Sequence, residues 1–273
     1  DARDFLNRVY LNNVATLKTG QARYGLILNE AGIVIDDGIL ICLADDHFLM
    51  HTTSGGASAI HQHLERWLQT EWPHLEVLVD NATGQWATLM LSGPRSRDIL
   101  QRLPCDIDLA KDAFGHMQYR HGTLCGLPCR ILRASYTGEV SFEISVPARQ
   151  GPFLWRRLVE AGGADLVPFG IETLMLLRTE KGYLHVGADT DGNTMPQDLG
   201  WGGAVARKAA DFIGRRSLAQ EAGRDPDRFQ FTGIELLDPS ASTIAGAHVL
   251  SEDARTTGGY VTSAFHSPHL GPT

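Results

Sequence analysis

The sequence predicts an α+β fold, and two observations carry that expectation. Strand-like and helix-like stretches come in mixed runs, without the regular strand–helix alternation of a parallel-sheet protein. The chain also repeats itself. Ala2-Arg-Asp-Phe-Leu-Asn-Arg-Val9 matches Ser96-Arg-Asp-Ile-Leu-Gln-Arg-Leu103 by residue type, and each copy is followed by Gly-x-x-x-Tyr, at Gly20–Tyr24 and Gly115–Tyr119. The offsets agree, at 94 residues (2 to 96) and 95 residues (20 to 115), which is the mark of a duplicated structural unit.

Taken in order, Asp1 to Tyr10 reads as a helix with Phe5, Leu6 and Val9 on one face. A strand from Tyr24 to Leu28, a turn at Asn29–Gly32, and strands Ile33–Leu43 and His47–Thr52 follow. Ser54-Gly55-Gly56 turns the chain into an amphipathic helix, Ala57 to Leu68, and strands Glu76–Asp80 and Trp86–Leu91 close the first unit, residues 1–92. Gly93-Pro94 opens the second unit, residues 93–208, with strands through Thr123–Leu132 and Tyr136–Val146 and a helix near Gly151–Ala161. After Pro168 the apolar positions Ile171, Leu174, Met175 and Leu177 predict a helix that ends near Gly182. A third region, 209–273, offers Asp227–Leu237 and Gly258–Ser263 as strands. A helix that starts at Asp1 without a cap, and a strand whose continuation would lie past Thr273, read as the ends of a piece of a longer polypeptide.

An apolar fraction of 43% over 273 residues is enough to bury a real core. A net charge of −8, with a pI near 5.7, counts against a nucleic-acid or anionic-membrane surface. No apolar run approaches the ~18 residues of a membrane helix. Cys42, Cys105, Cys125 and Cys129 are too few and too irregular for a disulfide scaffold, and read as reduced thiols of a cytoplasmic protein.

The run from Tyr136 to Pro147 is the most informative for chemistry. Phe142, Ile144 and Val146 alternate with Glu143 and Ser145, the period of a half-buried strand after a turn at Thr137-Gly138. A carboxylate on a rigid strand beside the phenol of Tyr136 suits a flat, hydrogen-bond-donating heterocycle. A solvated Glu on an edge strand is the plainer alternative.

Asp36 and Asp37 lie inside an otherwise apolar strand. Neighbouring strand residues face opposite ways, and parity puts Asp37 on the side of Ile35, Ile39 and Ile41. An unpaired carboxylate there is costly. Two readings stand: a bulge or turn at Asp36-Asp37-Gly38, or a carboxylate of raised basicity poised beside an amine.

Gly187-Ala-Asp-Thr-Asp-Gly192 lacks the spacing of a calcium loop and reads as a polar turn. His61 and His63, two apart, do not share a helical face, and Cys125-x-x-x-Cys129 reads as core. No dinucleotide, phosphate-loop or nucleophile-elbow motif occurs.

Together, Tyr24-Gly-Leu-Ile-Leu-Asn-Glu-Ala-Gly-Ile-Val-Ile-Asp-Asp37, Ser92-Gly-Pro94, Tyr136-Thr-Gly-Glu139 with Phe142-Glu143-Ile-Ser-Val146, and Leu177-Arg-Thr-Glu-Lys-Gly182 resemble the aminomethyltransferase (glycine-cleavage T-protein) superfamily. More narrowly, Trp67-Leu-Gln-Thr-Glu-Trp72, Gln85-Trp86-Ala-Thr88, Gly187 to Gly200, Asp211 to Leu218 and Gly259-Tyr-Val-Thr-Ser263 resemble the C-terminal half of heterotetrameric sarcosine oxidase alpha subunits. The resemblance implies a three-subdomain fold with a small C-terminal β-barrel-like region and a tetrahydrofolate site at its centre. Asp37 would be the catalytic carboxylate beside the reactive folate nitrogens. Glu143 would accept hydrogen bonds from the pterin, and Tyr24 and Tyr136 would pack around it.

The implied function is capture of the one-carbon unit of oxidised sarcosine as 5,10-methylenetetrahydrofolate. The implied partners are the other sarcosine oxidase subunits and the N-terminal part of the alpha subunit, with flavins and NAD held outside this chain. Two rivals are a stand-alone aminomethyltransferase and a non-catalytic folate-binding module. Two positions depart from the superfamily: Leu174 stands where T-proteins carry an Arg, and Gly203 where Trp is frequent.

Overall fold

Two antiparallel sheets stand face to face, each backed by two helices, and this arrangement positions every candidate residue. The computed structural model describes residues 1–238, 241–251 and 255–272. In the first unit, α1 (Ala2–Val9) and α2 (Ala57–Thr70) cover a sheet of β1 (Ala22–Leu28), β2 (Val34–Ala44) and β3 (His47–Thr52), in that order. The apolar stripe expected of the first helix is real: Phe5, Leu6 and Val9 are buried with Ile27, Leu40, Cys42, Ile60 and Leu64.

The second unit repeats that layering around a sheet of four strands. Helices α3 (Ser96–Gln101) and α4 (Gly151–Gly162) back a sheet whose strands run β4 (Trp86–Ser92), β7 (Ser141–Pro147), β6 (Leu127–Leu132), β5 (Tyr119–Leu124). Ile99, Leu100, Ile131, Phe142, Ile144, Val146 and Leu154 form its core. Between the sheets lies a smaller apolar layer of Ala22, Ile41, Tyr119, Leu132 and Ala134.

The two Gly-x-x-x-Tyr segments meet each other. Gln21 and Gln118 form an antiparallel bridge, with the Ala22 N–H donating to the Met117 carbonyl at 2.8 Å and the Tyr119 N–H to the Gly20 carbonyl at 2.9 Å. The repeat seen in the sequence is therefore also the joint between the units.

Four expected elements differ. Glu76–Asp80 forms no ladder; Val77 and Val79 turn inward against the first core while Leu78 is exposed, so the alternation is genuine but no neighbour strand bonds to it. The strand Trp86–Leu91 was expected to close the first unit, yet as β4 it pairs along its length with β7 of the second sheet. Thr123–Leu132 is a hairpin, β5 and β6, reversed at Cys125-Gly126, where both residues have positive φ (52° and 78°). That is the backbone a tight two-residue hairpin requires; Cys125 sits at the turn, part-buried against the core that contains Cys129. Asp227–Leu237 is not a strand: the Phe231 N–H donates to the Asp198 carbonyl and Arg228 is drawn to the Asp198 carboxylate.

Beyond α4, α5 (Ile171–Glu180) and α6 (Gly202–Arg207) lead into the C-terminal region with its short helices α7 (Arg215–Leu218) and α8 (Glu221–Arg224). Lys208, buried, donates to the carbonyls of Asn7, Tyr10 and Asn12, tying this stretch to the end of α1. The expected C-terminal barrel is absent among the described residues, which form two separate two-stranded ladders: β8 (His248–Leu250) with β9 (Thr257–Tyr260), and β10 (His266–Ser267) with β11 (Gly271–Pro272). The strand expected over Gly258–Ser263 thus overlaps β9 and stops at Tyr260, and Thr273 lies outside the described residues. No described helix is long and apolar enough to cross a membrane.

Gly38 makes the close approach of β2 to β3 possible. It faces Gly25 on one side and Thr52 on the other, and a Cβ at Gly38 would lie 1.8 Å from the His51 carbonyl oxygen. Gly38→Ala is expected to cost about 2–4 kcal/mol, read by urea denaturation. A loss under about 0.5 kcal/mol would show that β3 can give way without harm.

Candidate functional site

Both faces of the first sheet are covered, so Asp36 and Asp37 both point into the protein. The parity argument placed only one of them inside. Asp36 is the deeper, 1% exposed. Its Oδ1 accepts from the Thr53 hydroxyl (2.7 Å), the Asp37 N–H (2.8 Å) and the Thr53 N–H (3.4 Å). Its Oδ2 has no hydrogen-bond partner among the described residues but lies against Gly56, which precedes α2. The positive end of a helix is a favourable place for a buried carboxylate. Asp36 is a structural carboxylate, holding β2 to the turn that starts α2.

Asp37, on the opposite face, is half-buried and turned toward the second sheet. The Tyr24 hydroxyl donates to its Oδ2 at 2.7 Å. Burial raises the Asp37 pKa above the usual carboxylate range; the Tyr24 hydrogen bond opposes this and the neighbouring Asp36 charge adds to it. Burial and the Asp37 charge together push the Tyr24 phenol far up, so it stays a donor. Trp201 packs on Tyr24 with ring centres 5.5 Å apart.

Register places the remaining groups. Tyr24 lies opposite Ile39 and Ile39 opposite His51, so the three form a row across one sheet face, with Asp37 two residues from Ile39 on that face. His51 Nδ1 is 3.7 Å from Glu143 Oε2. Glu143 is on β7, an inner strand, so the edge-strand alternative does not hold. Its neighbours Phe142 and Ile144 are fully buried on the helix side, while Glu143 faces the first sheet. Burial raises the Glu143 pKa and lowers that of His51, with the charge of Arg130 adding to the latter. Two strand spacings, roughly 10 Å, separate the Tyr24 and His51 strands, so the carboxylates flank an elongated space rather than touching.

Tyr136 donates to the Leu184 carbonyl at 2.9 Å and stacks on Tyr183. Burial pushes its phenol up to about 12, and the Asp37 charge contributes. The turn that carries Tyr136 is pinned to β4, because the Ser92 hydroxyl bonds those of Thr137 (2.5 Å) and Ser141 (2.6 Å).

The structure thus gathers Tyr24, Asp37 and Tyr136 and places Glu143 across from them with His51. Sequence reasoning missed His51, Trp201 as the partner of Tyr24, and above all Arg178 with Asp189. The last two form a buried ion pair, Nη1 to Oδ2 at 2.5 Å. Asp189 also accepts from the His185 N–H (2.9 Å), the Thr262 hydroxyl (2.6 Å) and the Ser263 hydroxyl (3.2 Å), while Arg178 donates to the Tyr183 carbonyl. Both residues sit in runs that were singled out, but nothing in their spacing says that they meet. The polar turn at 187–192 is anchored inward through Asp189, while Asp191 accepts locally from Asn193 and Thr194.

Comparison with known proteins gives a consistent set of likenesses. The family model of the GCVT N-terminal domain matches residues 1–209. The chain is 43% identical over its whole length to the sarcosine oxidase subunit alpha of Corynebacterium sp. (strain U-96), of which it spans 29%. It is 31% identical to the aminomethyltransferase of Thermotoga neapolitana, over 98% of the chain and 70% of that protein. Among solved structures, the glycine cleavage system aminomethyltransferase T of Bartonella henselae superposes with a TM-score of 0.82, at 27% identity, over 99% of this chain and 71% of that one.

Two outcomes follow from this geometry. Because the folded state raises the Asp37 pKa, it binds that proton more tightly than the unfolded chain, and stability falls as pH rises through the shifted range. Asp37→Asn, which keeps an acceptor for Tyr24, should therefore stabilise the ligand-free protein at neutral pH, by about 1 kcal/mol, with the gain shrinking as the pH is lowered toward the carboxylate's protonation. Thermal unfolding over pH reads this directly; a destabilised variant would mean that the charge itself is satisfied. Separately, Arg178→Leu should cost about 3–5 kcal/mol by leaving the buried Asp189 without its countercharge, and adding Asp189→Leu should recover part of the loss.

Proposed function

Since the chain belongs to the GCVT N-terminal domain family and shares the aminomethyltransferase fold, we propose that it is the tetrahydrofolate-binding, one-carbon-transfer part of a sarcosine oxidase alpha subunit. Its higher identity to sarcosine oxidase subunit alpha (40–43%) than to aminomethyltransferases (29–35%) favours this over a stand-alone transferase. The rest of the alpha subunit and the other subunits would hold the flavins and NAD that oxidise sarcosine.

The observation that carries the reading is a half-buried carboxylate of raised basicity, Asp37, held by a tyrosine in an aromatic setting. The residues fit a reduced pterin on one further ground. Glu143 is largely buried, yet among the described residues its carboxylate accepts no hydrogen bond and meets only His51. A buried acceptor without donors suits the N–H-rich edge of such a ring.

Bound tetrahydrofolate would supply the amine nitrogens that take up the one-carbon unit, with glycine released and 5,10-methylenetetrahydrofolate as product. Asp37 would take up and hold a proton on its carboxylate, and its raised pKa makes it a better base than an exposed Asp. Tyr24 fixes the carboxylate's rotamer through the hydrogen bond to Oδ2. Glu143 would orient the ligand, and Tyr136, held by Leu184 and Tyr183, would wall the space between. Trp201 supplies the aromatic contact on Tyr24, so the Gly203 departure does not leave that side without a ring. Enclosure between the sheets would keep water from the transferred carbon.

Calorimetric titration with tetrahydrofolate tests the reading. Glu143→Gln should weaken binding by about 1–3 kcal/mol, and unchanged affinity would remove Glu143 from the site. In the intact enzyme Asp37→Asn should leave binding within about tenfold. Formation of 5,10-methylenetetrahydrofolate should fall ~10²-fold or more while sarcosine is still consumed, the carbon diverting to formaldehyde. A surviving yield would make Asp37 structural only.

A further inference from the structure

Three of the four cysteines gather on the helix side of the second sheet, the face turned away from Glu143. Cys105 follows α3 and forms an isolated antiparallel bridge with Leu124, the last residue of β5. Two main-chain bonds flank that bridge. The Cys125 N–H donates to the Pro104 carbonyl at 2.7 Å, and the Asp106 N–H to the Thr123 carbonyl at 3.2 Å. Cys125 opens the turn between β5 and β6, and Cys129 lies on β6 opposite Gly122. All three are free thiols.

The backbone selects one pair among them. Bonds on either side of Cys105 and Leu124 mark a non-hydrogen-bonded antiparallel pair, whose Cα atoms lie ~4.5 Å apart. Cys125 is the next residue along, so its Cα lies roughly 6 Å from that of Cys105, within the span of a disulfide. Both side chains pack on the core that holds Leu124, which brings the two sulfurs to the same side. Both also keep some exposure. Cys129 sits across β5 from Cys105 and is buried. Burial pushes its thiol up to about 12, with Cys105 adding to the effect.

The selected thiols differ in setting. Arg157 of α4, exposed and paired with Glu160 at 2.7 Å, also hydrogen-bonds the Cys125 sulfur. A cation beside a part-exposed sulfur favours the nucleophilic thiolate. At Cys105, burial raises the pKa; the Ile107 N–H opposes this, and Asp106 and Cys125 add to it. We propose that Cys125 and Cys105 form a peroxide-responsive pair, in which Cys125 attacks and Cys105 resolves. The Cys125 thiolate attacks one oxygen of a hydroperoxide, the O–O bond breaks, and the other oxygen leaves, protonated, as water or an alcohol. The Cys105 sulfur then attacks the resulting sulfenic acid. The S–O bond breaks as the S–S bond forms, and the leaving hydroxide takes the Cys105 proton and departs as water. Two electrons pass from the sulfurs to the peroxide, and a thiol reductant reverses the change. The loop closed in this way contains Met117–Tyr119, the stretch that bonds to the first unit, so oxidation would tie down one side of that joint.

Peptide mapping of the full polypeptide after treatment with hydrogen peroxide tests this without depending on the proposed activity. A Cys105–Cys125 linkage should appear, lighter by two hydrogens and reversed by dithiothreitol. Cys105→Ser should leave Cys125 as a sulfenic acid that dimedone traps, and Cys125→Ser should leave Cys105 unlabelled. Arg157→Gln, a change at an exposed side chain, should slow oxidation of Cys125 about tenfold. Thiols that stay free in peroxide, a linkage through Cys129, or dimedone on Cys105 in place of Cys125 would overturn the proposal. An unchanged rate in the Arg157 variant would overturn it equally, since nothing would then set Cys125 apart as the attacking thiol.

Discussion

The buried ion pair of Arg178 and Asp189 is the constraint on which the candidate site depends. Removing two charges from water is expensive, and the pair is tolerable only because other donors complete it. Here Asp189 accepts from a guanidinium, a main-chain N–H and two hydroxyls, and Arg178 reaches both Asp189 and the Tyr183 carbonyl. These bonds tie α5, the 183–189 loop and the stretch around Thr262 and Ser263 to one point. The loop in turn receives the Tyr136 hydroxyl at Leu184 and the Tyr136 ring at Tyr183. An aromatic wall contributed by the second sheet is therefore held in place by a salt bridge that touches neither sheet.

Asp36 and Asp37 show how one sheet gives two adjacent carboxylates different work. Facing α2, Asp36 meets two N–H groups, a hydroxyl and a helix start, and is spent on fixing a turn. Facing the other sheet, Asp37 meets one phenol and a partly enclosed space, so its charged form is undersupplied and its basicity rises. The difference lies in what packs on each face, not in the residues themselves.

Much of this was legible in the chain. Period-two alternation marked β7 and the face that carries Glu143, and the repeated helix with its Gly-x-x-x-Tyr marked the duplication. What escaped shares one cause: contacts between residues distant in sequence leave no local trace. Thus β4 follows α2 in the chain but joins β7, and Val77 and Val79 alternate like a strand with no partner at hand. The parity argument ranked Asp37 as the interior carboxylate because it assumed one covered face; the sheet has two. His51 was passed over because a lone histidine in a strand carries no pattern, and only its approach to Glu143 gives it significance.

Beside the apolar layer of Ala22, Ile41, Tyr119, Leu132 and Ala134, one stretch of the joint between the units is made of main-chain atoms. Around Gln21 and Gln118 the bonds run between amides and carbonyls: Ala22 to Met117, Tyr119 to Gly20, and outward to Cys42 and Arg133. Every residue but proline offers those groups, so side chains at this stretch can change without loosening these bonds. A duplicated module joined in this way has an evolutionary freedom that an interface of matched side chains lacks. One copy could keep the Asp37 carboxylate and the other that of Glu143, each unit mutating on its own schedule, while this seam between them kept its spacing.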